Sequence, residues 1–342
     1  MILPIASTDR SDSETTQSLV VTTGWFVQRD GRVGRCIAIV GRSGRERGPR
    51  AHRASSPPAL TQPGSARPLS HARRPHEPAH DTQPADPMIP KIRVRGLRKT
   101  FGDKVVLDGV DLDVMPKTSM VIIGGSGSGK SVLLKCILGI IEPDSGTVEI
   151  DGTDITRLPT QERTAIRSRI GMLFQNGALF DSLPVWENVT FGLIAQKKIR
   201  RSDGRDHAVG FLSQVGLADT VRDLSPAELS GGMQKRVALA RAIAAHPDIL
   251  FFDEPTTGLD PIMGAIIDGL IVECVKDLGS TAVAITHDMA SARRIGDAAA
   301  MIHKGRINWS GPGDRLMESG NPEVDQFTHG RREGPIQMEL RR

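Results

Sequence analysis

Residues 124–131 read GGSGSGKS, a glycine-rich run closed by Lys-Ser. It fits the pattern G-x-x-x-x-G-K-[ST], which wraps a phosphate chain. Glycines admit backbone conformations closed to other residues, so successive N–H groups of Gly124, Gly125, Ser126, Gly127, Ser128 and Gly129 can converge on phosphate oxygens. A helix starting here adds the positive end of its dipole. In that arrangement Lys130 holds the β- and γ-phosphates of ATP, and the Ser131 hydroxyl is a ligand for Mg²⁺.

A second run, ILFFDEP at residues 249–255, places two carboxylates after four apolar residues. Asp253 then sits at the carboxyl end of a buried strand, where open α/β sheets bind their ligands, and is suited to hold Mg²⁺ through water. Glu254 is placed to polarise the attacking water. Alone, the run also fits a strand ending in a solvated turn, and the phosphate loop tips the balance toward chemistry.

The elements that must carry these residues follow from periodicity. Residues 120–123, 170–174, 249–252 and 282–286 are short, continuous apolar runs, the mark of strands buried on both faces. Residues 131–141 place Val132, Leu133, Leu134, Ile137, Leu138 and Ile141 at helical spacing. IRVRGLRKTF (92–101) and VVLDGVDLDV (105–114) read as strands with period-2 stretches, and 177–245 reads mainly helical. Strands alternating with helices imply a mostly parallel α/β sheet. AAAMIHKGRINWSG, at 298–311, predicts a hairpin turning at Lys304-Gly305.

Composition narrows the class. No run approaches the ~18–20 apolar residues that span a bilayer, so any service to a membrane goes through a partner. Residues 1–87 hold 12 Arg, no Lys and 8 acidic residues, which accounts for the whole formal net charge of +4. The remainder is neutral and gives no sign of nucleic-acid binding. Cys36, Cys136 and Cys274 are far apart, in no metal-ligand or disulfide pattern, and read as reduced thiols.

Between and around the two motifs stand further features in a fixed order. LSGGMQ occupies 229–234, Gln175 follows IGMLF, Gly258-Leu259-Asp260 follows Glu254, and His287 ends AVAITH. Taken together, residues 91–315 resemble the ABC ATPases, whose signature LSGGQ appears here with Met233 in place of Gln. The resemblance implies the ABC cassette of P-loop NTPases: a RecA-like parallel core, an N-terminal antiparallel β subdomain and a helical insert. It also implies that Ser230, Gly231 and Gly232 of one subunit close over ATP held by the twin's phosphate loop, in a homodimer. Gln175 would contact Mg²⁺ or water, His287 the γ-phosphate, and Asp260 would reach across the dimer. Phe101, in KTFGD, matches the adenine-stacking aromatic, often Tyr, of which this chain has none. A core or turn position is the other reading of Phe101.

The chain has one cassette, no fused membrane helices and no room for a coiled coil, which leaves a stand-alone transporter ATPase. FQNGALFDSLPVWENV (174–189), LSGGMQKRVALARAIA (229–244) and NPEVDQFTHGRREGPI (321–336) resemble the Mla/Mkl-type lipid-transport ATPases. That resemblance implies an integral-membrane permease, a lipid-binding partner of the Mce kind, and a place at the cytoplasmic face of the inner membrane. A polar nutrient importer shares every ATPase motif and is the alternative. Three segments result: 1–87, read from its 10 prolines and lack of period as disordered, with Met88 favoured as the true start over a transit peptide; 88–319, the ATPase domain; and 320–342, a tail.

Overall fold

The computed structural model describes residues 19–27, 33–41 and 89–337. The chain divides into two compact units, Met1–Ala85 and Asp86–Arg342. In the first, β1 (Leu19–Val27) and β2 (Val33–Gly41) pair antiparallel over their whole length. Disorder was expected across 1–87, and these two stretches depart from it. LVVTTGWFV and VGRCIAIVG are rich in β-branched residues, which favour a pleated conformation. The Arg- and Pro-rich run from 42 to 60 lies outside the described residues.

The second unit begins with β3 (Ile92–Phe101) and β4 (Lys104–Val114), followed by β5 (Ser119–Ile123) and α1 (Lys130–Ile137). Next come β6 (Ser145–Ile150), β7 (Thr153–Asp154), α2 (Thr160–Arg167) and β8 (Ile170–Leu173). Helices α3 (Val185–Ala195), α4 (Gly204–Gln214) and α5 (Gly231–Ile243) follow without an intervening strand. The chain then alternates through β9 (Ile249–Asp253), α6 (Pro261–Leu278), β10 (Thr281–Ile285) and α7 (Met289–Ile295). It closes with β11 (Ala298–His303), β12 (Arg306–Pro312) and α8 (Pro322–Thr328).

Two sheets result. One is six-stranded, in the order β12-β11-β5-β10-β9-β8, parallel except for β12 at its edge. The other is antiparallel, in the order β4-β3-β6-β7. Successive side chains of a strand point to opposite faces, and the core divides accordingly. Met120, Ile122, Ile249 and Phe251 join α1 and the antiparallel sheet, whereas Val121, Ile123, Leu250 and Phe252 join the helices on the other face. Both faces being apolar, the strands show no polar alternation, as buried parallel strands must. The expected hairpin turns at Lys304 and Gly305, both with positive φ (48° and 76°), as a two-residue hairpin turn of the favoured hand requires. The first helix is shorter than its apolar spacing predicts. It stops at Ile137, because Gly139 adopts φ 62° and the Ile140 and Ile141 amides turn back to the Lys135 carbonyl.

Among the described residues no helix is long and apolar enough to cross a membrane. Burial pushes the Cys136 thiol to about 12 and the Cys274 thiol to about 11, so neither is a thiolate nucleophile at neutral pH. Cys36 has no described side chain.

One buried amide organises the loop before α3. Asn188 is fully buried; its Oδ1 accepts from the Phe180 amide at 2.7 Å, and its Nδ2 donates to the carbonyls of Phe180, Leu183 and Pro184 at 3.1, 2.9 and 3.3 Å. Asn188→Ala removes these four contacts, although the Phe180 carbonyl still accepts from the Leu183 amide at 3.1 Å and the Pro184 carbonyl from the amide of residue 188 at 3.0 Å. A lost hydrogen bond costs about 0.5–1.5 kcal/mol net, so the variant is expected to unfold at lower urea concentration. An unchanged midpoint would show that the loop closes without this side chain.

Candidate active site

The phosphate loop leaves β5 at its carboxyl end and enters α1. Its glycines are required at two places by close contact. A Cβ on Gly124 would lie 2.3 Å from the Ile302 carbonyl oxygen, and one on Gly129 would lie 2.9 Å from both Val106 O and Leu107 Cδ2. Gly129 caps α1 with φ 107°, a left-handed value that favours glycine. Lys130 is buried and folds over the loop, donating to Gly124 O at 2.7 Å and Gly125 O at 2.9 Å. Burial lowers its ammonium below the usual lysine range, opposed by the charges of Glu254 and Asp253. Ser128 Oγ is buried with no hydrogen-bond partner. Such an atom is costly unless something accepts or donates there.

The carboxylates end β9. Burial raises the Asp253 carboxyl above the usual aspartate range, Glu254 adds to this, and Lys135, Lys130 and Lys235 oppose it. Glu254 takes φ 47°, unusual for a residue with a side chain and of the kind that clusters at functional sites. Its Oε2 accepts from Gln175 Nε2 and from Thr257 Oγ1, both at 3.0 Å, and its Oε1 lies 3.3 Å from His287 Nδ1. Three segments remote in sequence, at 175, 254–257 and 287, thus meet at one carboxylate. They open onto a cleft of about 780 Å³, lined by residues 124–132 with Lys104, Val106, Gln175, Glu254, Thr257, His287 and Phe327.

The cleft contains Gly124, Gly125, Ser126, Gly127, Ser128, Gly129, Lys130, Ser131, Gln175, Glu254 and His287 of the residues singled out from sequence. Ser230, Gly231, Gly232 and Asp260 are not among its lining residues. Ser230 caps α5 and accepts from the Met233 amide at 3.3 Å; Asp260 caps α6 and accepts from the Ile262 and Met263 amides, each at 3.0 Å. Phe101 also stands outside the lining, exposed at the end of β3, with Lys99 Nζ 5.6 Å from its ring centre. The aromatic ring in the cleft is Phe327, from α8. Sequence reasoning missed this, as it missed Lys104 and Val106, because no local pattern shows that α8 packs back toward the loop. A further contact that sequence reasoning missed is Lys235, which is buried and donates its ammonium to the Gln175 carbonyl.

The donor set fits a small hard cation. Ser131 and Gln175 line the cleft and offer oxygen ligands, Gln175 spending its Nε2 on Glu254 and leaving Oε1, whereas Asp253, at the end of β9, is not among the lining residues. No cluster of three or more His, Cys, Asp or Glu able to hold a metal occurs among the described residues. Mg²⁺ suits such a site, since it is commonly held by one or two carboxylates together with substrate phosphates.

A phosphate loop at the end of a parallel strand, a carboxylate pair on a neighbouring strand and a capped LSGGM helix define an ATP-binding cassette. The family profile described as ABC transporter matches residues 107–257. The "Probable ribonucleotide transport ATP-binding protein mkl" of Mycobacterium leprae is 40% identical over 252 residues, covering 74% of this chain and 72% of that protein. The "Intermembrane phospholipid transport system ATP-binding protein MlaF" of Haemophilus influenzae is 38% identical over 247 residues, covering 72% of this chain and 93% of that protein. The dimeric post-hydrolysis structure of the cassette MJ0796, bound to ADP and Pi, superposes with a TM-score of 0.59 at 33% identity, covering 65% of this chain and 98% of that one. The chain belongs to the ATP-binding proteins of ABC transporters. It binds and hydrolyses ATP.

Proposed function

We propose that this chain works as one half of a homodimer that sandwiches two ATP molecules and drives a separate integral-membrane permease from the cytoplasmic face of the inner membrane. The observation that carries the reading is the division of the site. The cleft gathers the phosphate loop, Gln175, Glu254 and His287 but leaves out Ser230, whose helix start with Gly231 and Gly232 is suited to a γ-phosphate. In this reading Lys130 holds the phosphates, and Ser131, Gln175 and Asp253 hold Mg²⁺, which when bound neutralises developing phosphate charge. Glu254 takes the proton of the attacking water, with His287 at its Oε1 and Gln175 and Thr257 fixing its Oε2. Asp260 reaches the twin subunit, and Phe101 stacks on adenine. Residues 88–319 form the working domain.

The cargo in this reading is phospholipid or a similar apolar lipid moved between membranes, with a Mce-type lipid-binding protein as further partner. Identity with MlaF along 93% of that protein supports it. The loop at 177–184 and the start of α3 are the surface offered to the permease. Leu179, Phe180, Leu183 and Trp186 are all half-buried there. Leu179 and Trp186 pack on the core beneath, and Phe180 meets Phe191 with ring centres 4.5 Å apart, so only part of this apolar surface remains for a partner. The mycobacterial relative, named a probable ribonucleotide transport protein, favours a polar cargo instead. Isolating the native membrane complex and extracting its small molecules decides between them. Bound phospholipid that is lost on ATP turnover is the expected result. A permease with a soluble binding protein and no lipid would assign the chain to a polar importer.

A further inference from the structure

Asp268, on α6, is fully buried, and nothing in the site described so far uses it. Burial raises its carboxyl above the usual aspartate range, opposed by hydrogen bonds from Ser291 and Arg294. Its Oδ2 accepts from Ser291 Oγ at 2.8 Å and from Arg294 Nη1 at 3.0 Å, while its Oδ1 is buried without a partner. The Arg294 side chain is 45% exposed. A buried carboxylate with one unsatisfied oxygen and one half-solvated partner is a poor source of stability.

Ser291 Oγ is also 3.2 Å from Thr256 Oγ1, and the hydroxyls of both residues are buried with it. The carboxylate is acceptor-only, so Ser291 spends its single proton on Asp268 and its oxygen is left to accept from Thr256. The chain Thr256 to Ser291 to Asp268 therefore has one polarity. Its first two members follow closely in sequence the two groups that meet over the cleft. Thr256 is two residues beyond Glu254. Ser291 is in the first turn of α7, whose cap, Asp288, directly follows His287 and accepts from the Ala290 amide at 2.8 Å. Thr256 is further confined by α6, since a Cβ on Gly264 would lie 3.7 Å from its Cβ.

We propose that Asp268 and Ser291 are positioning residues for ATP hydrolysis, tying the segment after Glu254 to the helix after His287 and so setting the Glu254–His287 approach. The inference rests on the reading of Glu254 and His287 given above. Neither positioning residue touches nucleotide. They act on kcat through the placement of two groups that do, and small misplacements of such groups can cost up to about 10²-fold.

The test uses the full chain and compares steady-state ATP hydrolysis and thermal melting for Ser291→Ala, Asp268→Leu, Asp268→Asn and Glu254→Gln. Ser291→Ala removes one oxygen and keeps the Asp268–Arg294 pair. It is expected to lower kcat about 10-fold with KM for ATP changed by less than about twofold, the signature of a lost transition-state arrangement. Asp268→Leu is expected to lose kcat similarly but to melt lower than Ser291→Ala, because it leaves the Ser291 hydroxyl and the Arg294 guanidinium without their acceptor. Asp268→Asn, whose amide oxygen can still face Ser291 and Arg294, is expected to restore most of the rate. The double variant Ser291→Ala, Asp268→Leu should be no slower than either single variant. A native kcat in Ser291→Ala, or losses that follow melting temperature across the series, overturns the proposal. Glu254→Gln separates this from the underlying reading: native turnover there defeats the assignment of the base, whereas a dead Glu254→Gln beside a native Ser291→Ala defeats the positioning chain alone.

Discussion

Glu254→Gln is expected to stop turnover while leaving ATP bound. The exchange is nearly isosteric, and the amide oxygen can keep the Oε2 place that accepts from Gln175 and Thr257, each 3.0 Å away. What disappears is the group that accepts the proton of water. Loss of a general base lowers the rate by about 10²–10⁴-fold, so phosphate release should fall by that factor with nucleotide affinity little changed. The ATP-bound dimer should accumulate, visible as a shift to twice the mass in the presence of ATP and not ADP. Near-native phosphate release would place the base elsewhere.

Lys130→Ala is expected to act earlier, on binding. The ammonium makes two hydrogen bonds to its own loop, at 2.7 and 2.9 Å, and is held where phosphate oxygens would take their place. Hydrogen bonds to charged groups contribute about 1.5–3 kcal/mol each, so losing two weakens ATP binding by about 10²-fold or more. Equilibrium titration with a fluorescent ATP analogue measures this directly. Unchanged affinity with reduced turnover would make Lys130 a transition-state group only.

The parts of this account that were legible in sequence are those written in neighbouring residues. The phosphate loop, the strand ending in Asp253-Glu254 and the Lys304-Gly305 turn each depend on residue types a few positions apart, and local backbone geometry selects those types. Where distant segments meet, local pattern falls silent. Phe327 lines the cleft because α8 packs back onto the domain, and Ser291 reaches Asp268 across 23 residues of chain. Asp260 was read by resemblance as a residue for the twin; within one chain it caps α6, a role its position before Pro261 also explains. The β1–β2 hairpin was hidden for a different reason. Arg- and Pro-rich flanks dominated the composition of 1–87 and masked two short β-branched runs.

The central claim is that each nucleotide site is shared between two chains, and mixing two defective variants tests it most directly. Lys130→Ala disables the phosphate loop. Ser230→Asp keeps a residue that caps α5 as well as serine does, and sets a negative charge where the twin's γ-phosphate would approach. Each variant alone should hydrolyse ATP very slowly. In an equal mixture half the symmetric dimers are mixed, and each of those has one site with both defects and one with neither, so activity should recover to about a quarter of the native rate. A mixture no faster than the mean of the two separate variants, or a Ser230→Asp chain that turns over at the native rate, would contradict the shared site and leave catalysis complete within a single chain.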